Sequence, residues 1–176
     1  MPVTLISPNT DNYIVGKGIC YIKLLADADY VDVGNVPEFE TTPNIDKLDH
    51  FSSRAGVASK DKSIAKTKGM TLRMVMEEFT ARNLGLALLG TPDVSNPGNV
   101  TIPIFQDNSV TCAVKLVGTN EVGPKWTYEF PQVEFLPSSA LNPISDEWGQ
   151  IEITGDILFQ EESDSFGTAS ADFSAT

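Results

Sequence analysis

The residues able to do chemistry in this chain are few and scattered. A single histidine, His50, has no serine or cysteine nucleophile in a recognisable context near it. Cys20 and Cys112 are the two cysteines, and each falls among apolar neighbours in a stretch that reads as a strand. That is the setting of a buried free thiol rather than of a disulfide or a reactive pair. One histidine and two cysteines make no standard zinc site without carboxylates, and no ligand spacing suggests one, so neither metal nor cofactor is expected. Gly16-Lys17-Gly18 is too short to cradle a phosphate and reads as a turn. Glu152 and Asp156 lie on a polar strand face, where solvated carboxylates belong, and no acid pair sits in an apolar setting that raises one pKa. Enzyme is the least supported class.

What remains is charge and its layout. A net charge of -12 argues against holding nucleic acid, because such a surface neutralises phosphates with clustered Lys and Arg. The charge is uneven. Arg54, Lys60, Lys62, Lys66, Lys68 and Arg73 stand against the single acid Asp61 between Arg54 and Arg73, whereas no basic residue follows Lys125 and ten acids do. Opposite patches on identical subunits favour head-to-tail association, which closes into rings or runs on as filaments. The plainer alternative is two solvated charge runs that never meet.

The elements that must position these groups read as mainly β. With 176 residues the chain is long enough for one core, and a mean hydropathy of -0.08 is ordinary for a globular protein. No apolar run reaches about 18 residues, and the N-terminus lacks the blocks of a secretion signal, so a protein made and kept in a cytosol, or released only when a cell lyses, with no membrane contact, is expected. Residues 1–12 read as an extended lead-in. Strands are expected at Gly18–Leu24, Tyr30–Val33, Phe39–Thr42 (stopped by Pro43), Met70–Phe79, Val100–Ile104 (weakened by Pro103), Val110–Leu116, Trp126–Phe135 and Trp148–Gln160. In Met70–Phe79, Leu72, Met74 and Met76 share the apolar face; in the last strand Ile151, Ile153, Ile157 and Phe159 do, with Trp148 near its start. Pro131 swaps faces in its strand as a bulge would.

Thr80 caps a short amphipathic helix carrying Leu84 and Leu88 and closed by Gly90. Asn44 or Asp46 is placed to cap a helical turn holding Leu48 and Phe51. From Ser52 to Lys68 there is no hydrophobic period of either kind, so residues 43–68 read as a long loop that orders only against a partner. Residues 161–176 read as an acidic, flexible tail with Phe166 and Phe173 as isolated anchors.

The succession Asp32-Val33-Gly34-Asn35-Val36 with Phe39 just after, then Leu48-Asp49-His50, a long polar loop, a strand, and Asn83-Leu84-Gly85-Leu86-Ala87-Leu88-Leu89-Gly90 resembles the major tail tube proteins of long-tailed bacteriophages. The likeness runs from about Gly16 to about Gln160. It implies a β-sandwich or barrel of antiparallel strands with one short packed helix and a long assembly loop, in one domain over residues 1–160. It also implies a structural virion protein with no active site, assembled in the host cytoplasm. Its copies would form hexameric rings stacked into a tube through which DNA passes without being specifically bound, with tape-measure, terminator and tip proteins as further partners.

On this reading Asp46, Leu48, Phe51, Arg54, Lys60, Lys62, Lys66 and Lys68 form the ring-stacking loop. Asp32, Gly34, Asn35 and Phe39 form the motif turn, and Glu77, Glu152 and Asp156 are the candidate lumen-facing acids, an expectation against which Arg73 on the same strand counts. A monomeric β-sandwich that binds a foreign partner through its long loop is the alternative.

Overall fold

A computed structural model describes residues 7–54, 56–96, 98–137 and 140–172. The lead-in reading of residues 1–6 and the Phe173 anchor lie outside them. After a short 3-10 turn at Thr10–Asn12 come β1 (Gly18–Leu24), β2 (Val31–Asp32), β3 (Glu38–Ser52), β4 (Ser59–Met76), α1 (Ala81–Leu88), β5 (Val110–Gly118), β6 (Lys125–Phe135), β7 (Ile151–Ile157) and β8 (Thr168–Asp172).

All pairings are antiparallel, in the order β2-β1-β5-β6-β7-β4-β3, with β8 added to β6. Strand β6 makes the sheet fold over. Its Lys125–Glu129 half pairs with β8, and its Val133–Phe135 end pairs with β7. Between them the register against β5 slips, Cys112 facing Val133 while Val114 faces Phe130. The extra residue falls at Pro131–Gln132, the bulge expected there, and a bulge bends its strand and sharpens the twist. As a result the far edge strand β3 returns over the core, and Phe39 stacks on Phe130 with ring centroids 6.4 Å apart. The mainly β, antiparallel architecture with one short helix is as expected.

Alternation builds the core. Leu72, Met74 and Met76 from β4, Ile151 and Ile153 from β7, and Val133 and Phe135 from β6 are wholly buried. Helix α1 sits against this core through Leu86 and Ala87, and the Thr80 hydroxyl accepts the Asn83 amide at 3.1 Å as its N-cap. The C-terminal cap differs from expectation. Leu89 takes the left-handed conformation, φ 49°, and its fully buried side chain offsets the strain of a β-carbon there. Gly90 is needed for another reason: a Cβ would collide with the Pro103 carbonyl.

Four further expectations are corrected. Val100–Ile104 forms no strand, only the isolated bridge between Asp93 and Thr101. Pro43 does not stop β3, because β3 is an edge strand, where a missing N–H is tolerated; Pro43 stays in register opposite Met70. No helical turn forms at 44–51. The 161–176 tail is partly structured: Phe166 packs against the core, and β8 extends the sheet to Asp172, so the domain does not end at 160.

The largest correction concerns residues 43–68, which are not a loop but the outer part of a two-stranded arm. Pairs Phe39–Met74 and Thr41–Leu72 fix the register inside the body, and the ladder continues outward to Ser52–Ser59 with shifts after Asp46 and after His50. Each added pair costs no new loop closure once the base is anchored, so weakly β-forming residues such as Lys and Ser are carried along. Strand β7 pairs with β4 only over Met70–Met76, so beyond Gly69 no third strand pairs with the two.

Candidate assembly surfaces

The arm carries every residue expected in the stacking loop. Asp46 lies opposite Thr67, Leu48 opposite Ile64, Lys62 opposite His50, Lys68 opposite Ile45, and Phe51 opposite Lys60, while Lys66 falls at the first register shift and Arg54 in the terminal turn. Six basic residues (Lys47, Arg54, Lys60, Lys62, Lys66, Lys68) meet three acids (Asp46, Asp49, Asp61) over residues 44–68, a local charge of +3 on a chain of -12, which leaves -15 elsewhere.

Lys60 is tied down. Its ammonium lies 2.8 Å from Asp49, which also accepts a 2.5 Å hydrogen bond from Ser63. Lys60 first and Ser63 second hold the Asp49 carboxyl below the usual carboxylate range. His50 Nδ1 lies 2.6 Å from Asp61. Lys62, Lys66, Lys68 and Arg54 have no ion-pair partner among the described residues.

Ile45 and Ile64 were not read from the sequence as part of this surface. With Leu48 and Phe51 they are each more than half exposed. Leu48 and Ile64 form a cross-strand pair on one face, whereas Ile45 and Phe51 lie on the other. No alternation in sequence marks this set, because Ile45, Leu48 and Phe51 recur every third residue and so fall on alternate faces of β3. An isolated two-stranded ribbon is marginally stable in water, and one that exposes apolar side chains on both faces has surface to offer a partner.

The motif turn fixes the base of this arm. Asp32 Oδ1 accepts the Gly34 amide at 2.8 Å, and Gly34 has φ 85°, where a Cβ would strike the Glu78 carboxylate. Asn35 then clips onto the end of β4: its carbonyl accepts the Glu77 amide at 3.0 Å, and its Nδ2 donates to Glu77 Oε2 at 2.5 Å. Phe39 anchors β3 in the core. All four motif residues thus set the direction in which the arm leaves the body.

The three candidate lumen acids share one face. Val75 lies opposite Glu152 and Thr71 opposite Asp156, so both acids project on the side of β4 that carries Arg73 and Glu77. Glu134 joins them opposite Asp156, as do Glu38 and Glu40 from β3. Arg73 Nη2 lies 2.8 Å from Glu152, and its Nη1 lies 2.5 Å from Glu38 and 4.0 Å from Glu40. Contact with Arg73 lowers the Glu152 pKa. Glu152 is therefore an engaged carboxylate rather than a free one, and Arg73 ties β3, β4 and β7 together. Glu38, Glu40, Glu77, Glu134, Glu152 and Asp156 make six acids against this one guanidinium, and the sheet face remains acidic.

Two clefts open on the body. One, about 520 Å³, is lined by Leu24, Leu86, Pro92, Val110 and the pair Asp27–Arg82. Asp27 accepts from Arg82 and from the Leu24 amide at 2.7 Å, and Arg82 donates to the Ile22 carbonyl at 3.1 Å, pinning α1 to the β1–β2 turn. The Arg82 hydrogen bond is the main cause holding the Asp27 carboxyl below its ordinary value. The other cleft, about 650 Å³, lies between Lys66 and Lys68 at the arm's base and Phe159, Asp164 and Phe166. Burial pushes both Cys20 and Cys112 up to about 12, which leaves them as inert thiols at neutral pH. Among the described residues no group of three His, Cys, Asp or Glu is placed to hold a metal, and no helix is long and apolar enough to cross a membrane.

The geometry defines a mainly β protein with a projecting basic ribbon and an acidic sheet face. Residues 13–102, just over half of the chain, match the family described as Protein of unknown function UCP028589, and the chain belongs to that family. The match takes in β1, the motif turn, the whole arm and α1. No curated protein matches the chain.

Proposed function

We infer that this protein is a structural subunit that assembles with copies of itself, most specifically into stacked hexameric rings forming a phage tail tube, a conduit for DNA. The observation that carries this reading is the arm. Eight residue pairs, roughly 25 Å of two-stranded ribbon, leave the body beyond Gly69 with no third strand beside them. A monomer gains little from such an element, whereas a neighbour that covers it gains both its apolar side chains and its lysines.

Two features support the reading. The outer edge of β3 pairs with no strand along its 15 residues among those described, a hazard in a monomer and a joining device in a ring. The acidic sheet face suits a lumen, since it repels phosphates and lets a duplex slide without sticking. Tape-measure, terminator and tip proteins would be the further partners, and a virion tail the location. A monomeric module using the arm to bind a foreign partner is separated from this reading by size.

Sedimentation velocity of the purified full chain from about 1 to 100 μM, with negative-stain micrographs of the most concentrated sample, distinguishes them. Rings or tubes that grow with concentration are the expected result. A monomer throughout the series overturns the reading.

A further inference from the structure

At the end of the body opposite the arm lies an exposed aromatic patch. Trp148, expected near the start of a buried strand face, is instead 93% exposed, and Ile144 in the same loop is 88% exposed. The ring of Phe79, itself half exposed, lies against Gly149, where a Cβ would come within 2.8 Å of it. Asp146 and Glu147 stand exposed between Ile144 and Trp148. Glu77 accepts a 3.2 Å hydrogen bond from Gln150, two residues beyond Trp148. No basic residue occurs in residues 74–81 or 126–176, and the flanking Arg73 and Arg82 are paired elsewhere, with Glu38 and Glu152 and with Asp27.

We propose that this patch is the socket that receives the basic arm of a second copy. The inference rests on the self-assembly reading and names the surface that reading leaves open. Chemistry matches at both ends: on one face of the arm Leu48 and Ile64 lie beside Lys62, with Lys66 at the neighbouring bulge and Arg54 in the terminal turn, and on the socket Trp148, Ile144 and Phe79 lie with Asp146, Glu147 and Glu77. A lysine or arginine over the face of Trp148 adds a cation–π contact.

The chain cannot satisfy itself. Strand β4 is continuous from Ser59 to Met76, with Phe79 just beyond, so one extended strand holds the arm's outer end roughly 55–60 Å from its own socket. The occupant is therefore another molecule. A contact between unlike ends of identical chains is head-to-tail and repeats along one axis.

The test uses the full chain and its self-association measured by sedimentation velocity. Trp148→Ala is expected to weaken association by about tenfold or more, as loss of a central aromatic anchor does. The double change Asp146→Lys/Glu147→Lys and the double change Lys62→Glu/Lys66→Glu are each expected to block assembly alone and to restore it when the two proteins are mixed. All these side chains are exposed, and circular dichroism checks that each variant is folded. A photo-crosslinking phenylalanine analogue at position 148 is expected to join residues 44–68 of another copy.

If the wild type stays monomeric, the self-assembly reading itself has failed. If the wild type assembles while the Trp148 and charge-reversed variants assemble equally well, or if position 148 cross-links elsewhere on the second copy, the socket is wrong and the assembly reading stands.

Discussion

A chain in which Asn-Gly replaces residues 45–68 is expected to fold and to lose assembly altogether. Asn44 and Gly69 face each other across the ladder, so a two-residue turn can close the shortened hairpin there. None of the buried core residues falls within 45–68, and the removed pairs contact mainly one another. The body should lose no more than about 1 kcal/mol, a fall of roughly 2–4 °C in melting temperature for a chain of this length. Assembly, by contrast, should disappear at every concentration at which the parent assembles. Calorimetry and sedimentation on the same samples read both quantities. A shortened chain that still forms rings removes the arm from the assembly, and one that fails to fold shows the arm to be part of the body.

The opposite outcome is expected at Phe135. This wholly buried ring lies where three strands meet, opposite Val110 on β5 and Gly155 on β7, and it closes over the glycine, whose added Cβ would lie 2.9 Å from the ring. Phe135→Ala leaves a cavity that this junction cannot collapse to fill, at a cost of about 3–5 kcal/mol. Against a total stability of roughly 5–15 kcal/mol, that lowers the urea midpoint by about 2 M. The two experiments separate what holds one molecule together from what joins molecules. A Phe135→Ala midpoint within about 0.5 M of the parent contradicts the placement of the core at this junction.

The body of the fold was legible in sequence wherever one face of a strand is buried. Leu72, Met74, Met76, Ile151, Ile153 and Ile157 alternate cleanly because water lies on one side of them and core on the other. The Thr80 cap and the Pro131 bulge were legible too, each being local chemistry. The arm was not, because a ribbon with water on both faces carries no buried period, and Ile45, Leu48 and Phe51, three apart, fall on alternate faces. Its strands follow from the anchored base, a tertiary cause invisible in a window of residues. Trp148 misled for a related reason: strand-like composition begins before Ile151, but the chain enters the sheet only there. The basic run was visible as charge. Its place, at the opposite end of β4 from the acid-rimmed aromatic patch, required the three-dimensional path.

The most direct test of arm-mediated self-association is amide hydrogen exchange of the full chain at low and high concentration. In dilute solution, amides of residues 44–52 and 59–68 should exchange within about a hundredfold of unstructured rates, as befits a ribbon with no third strand, while Leu72–Met76 and Ile151–Ile157 stay protected. On concentration, arm protection should rise by roughly a hundredfold or more with the body unchanged, because ordering is then coupled to association. Arm exchange that ignores concentration while the protein assembles, or an arm already as protected as the core in the monomer, would contradict it.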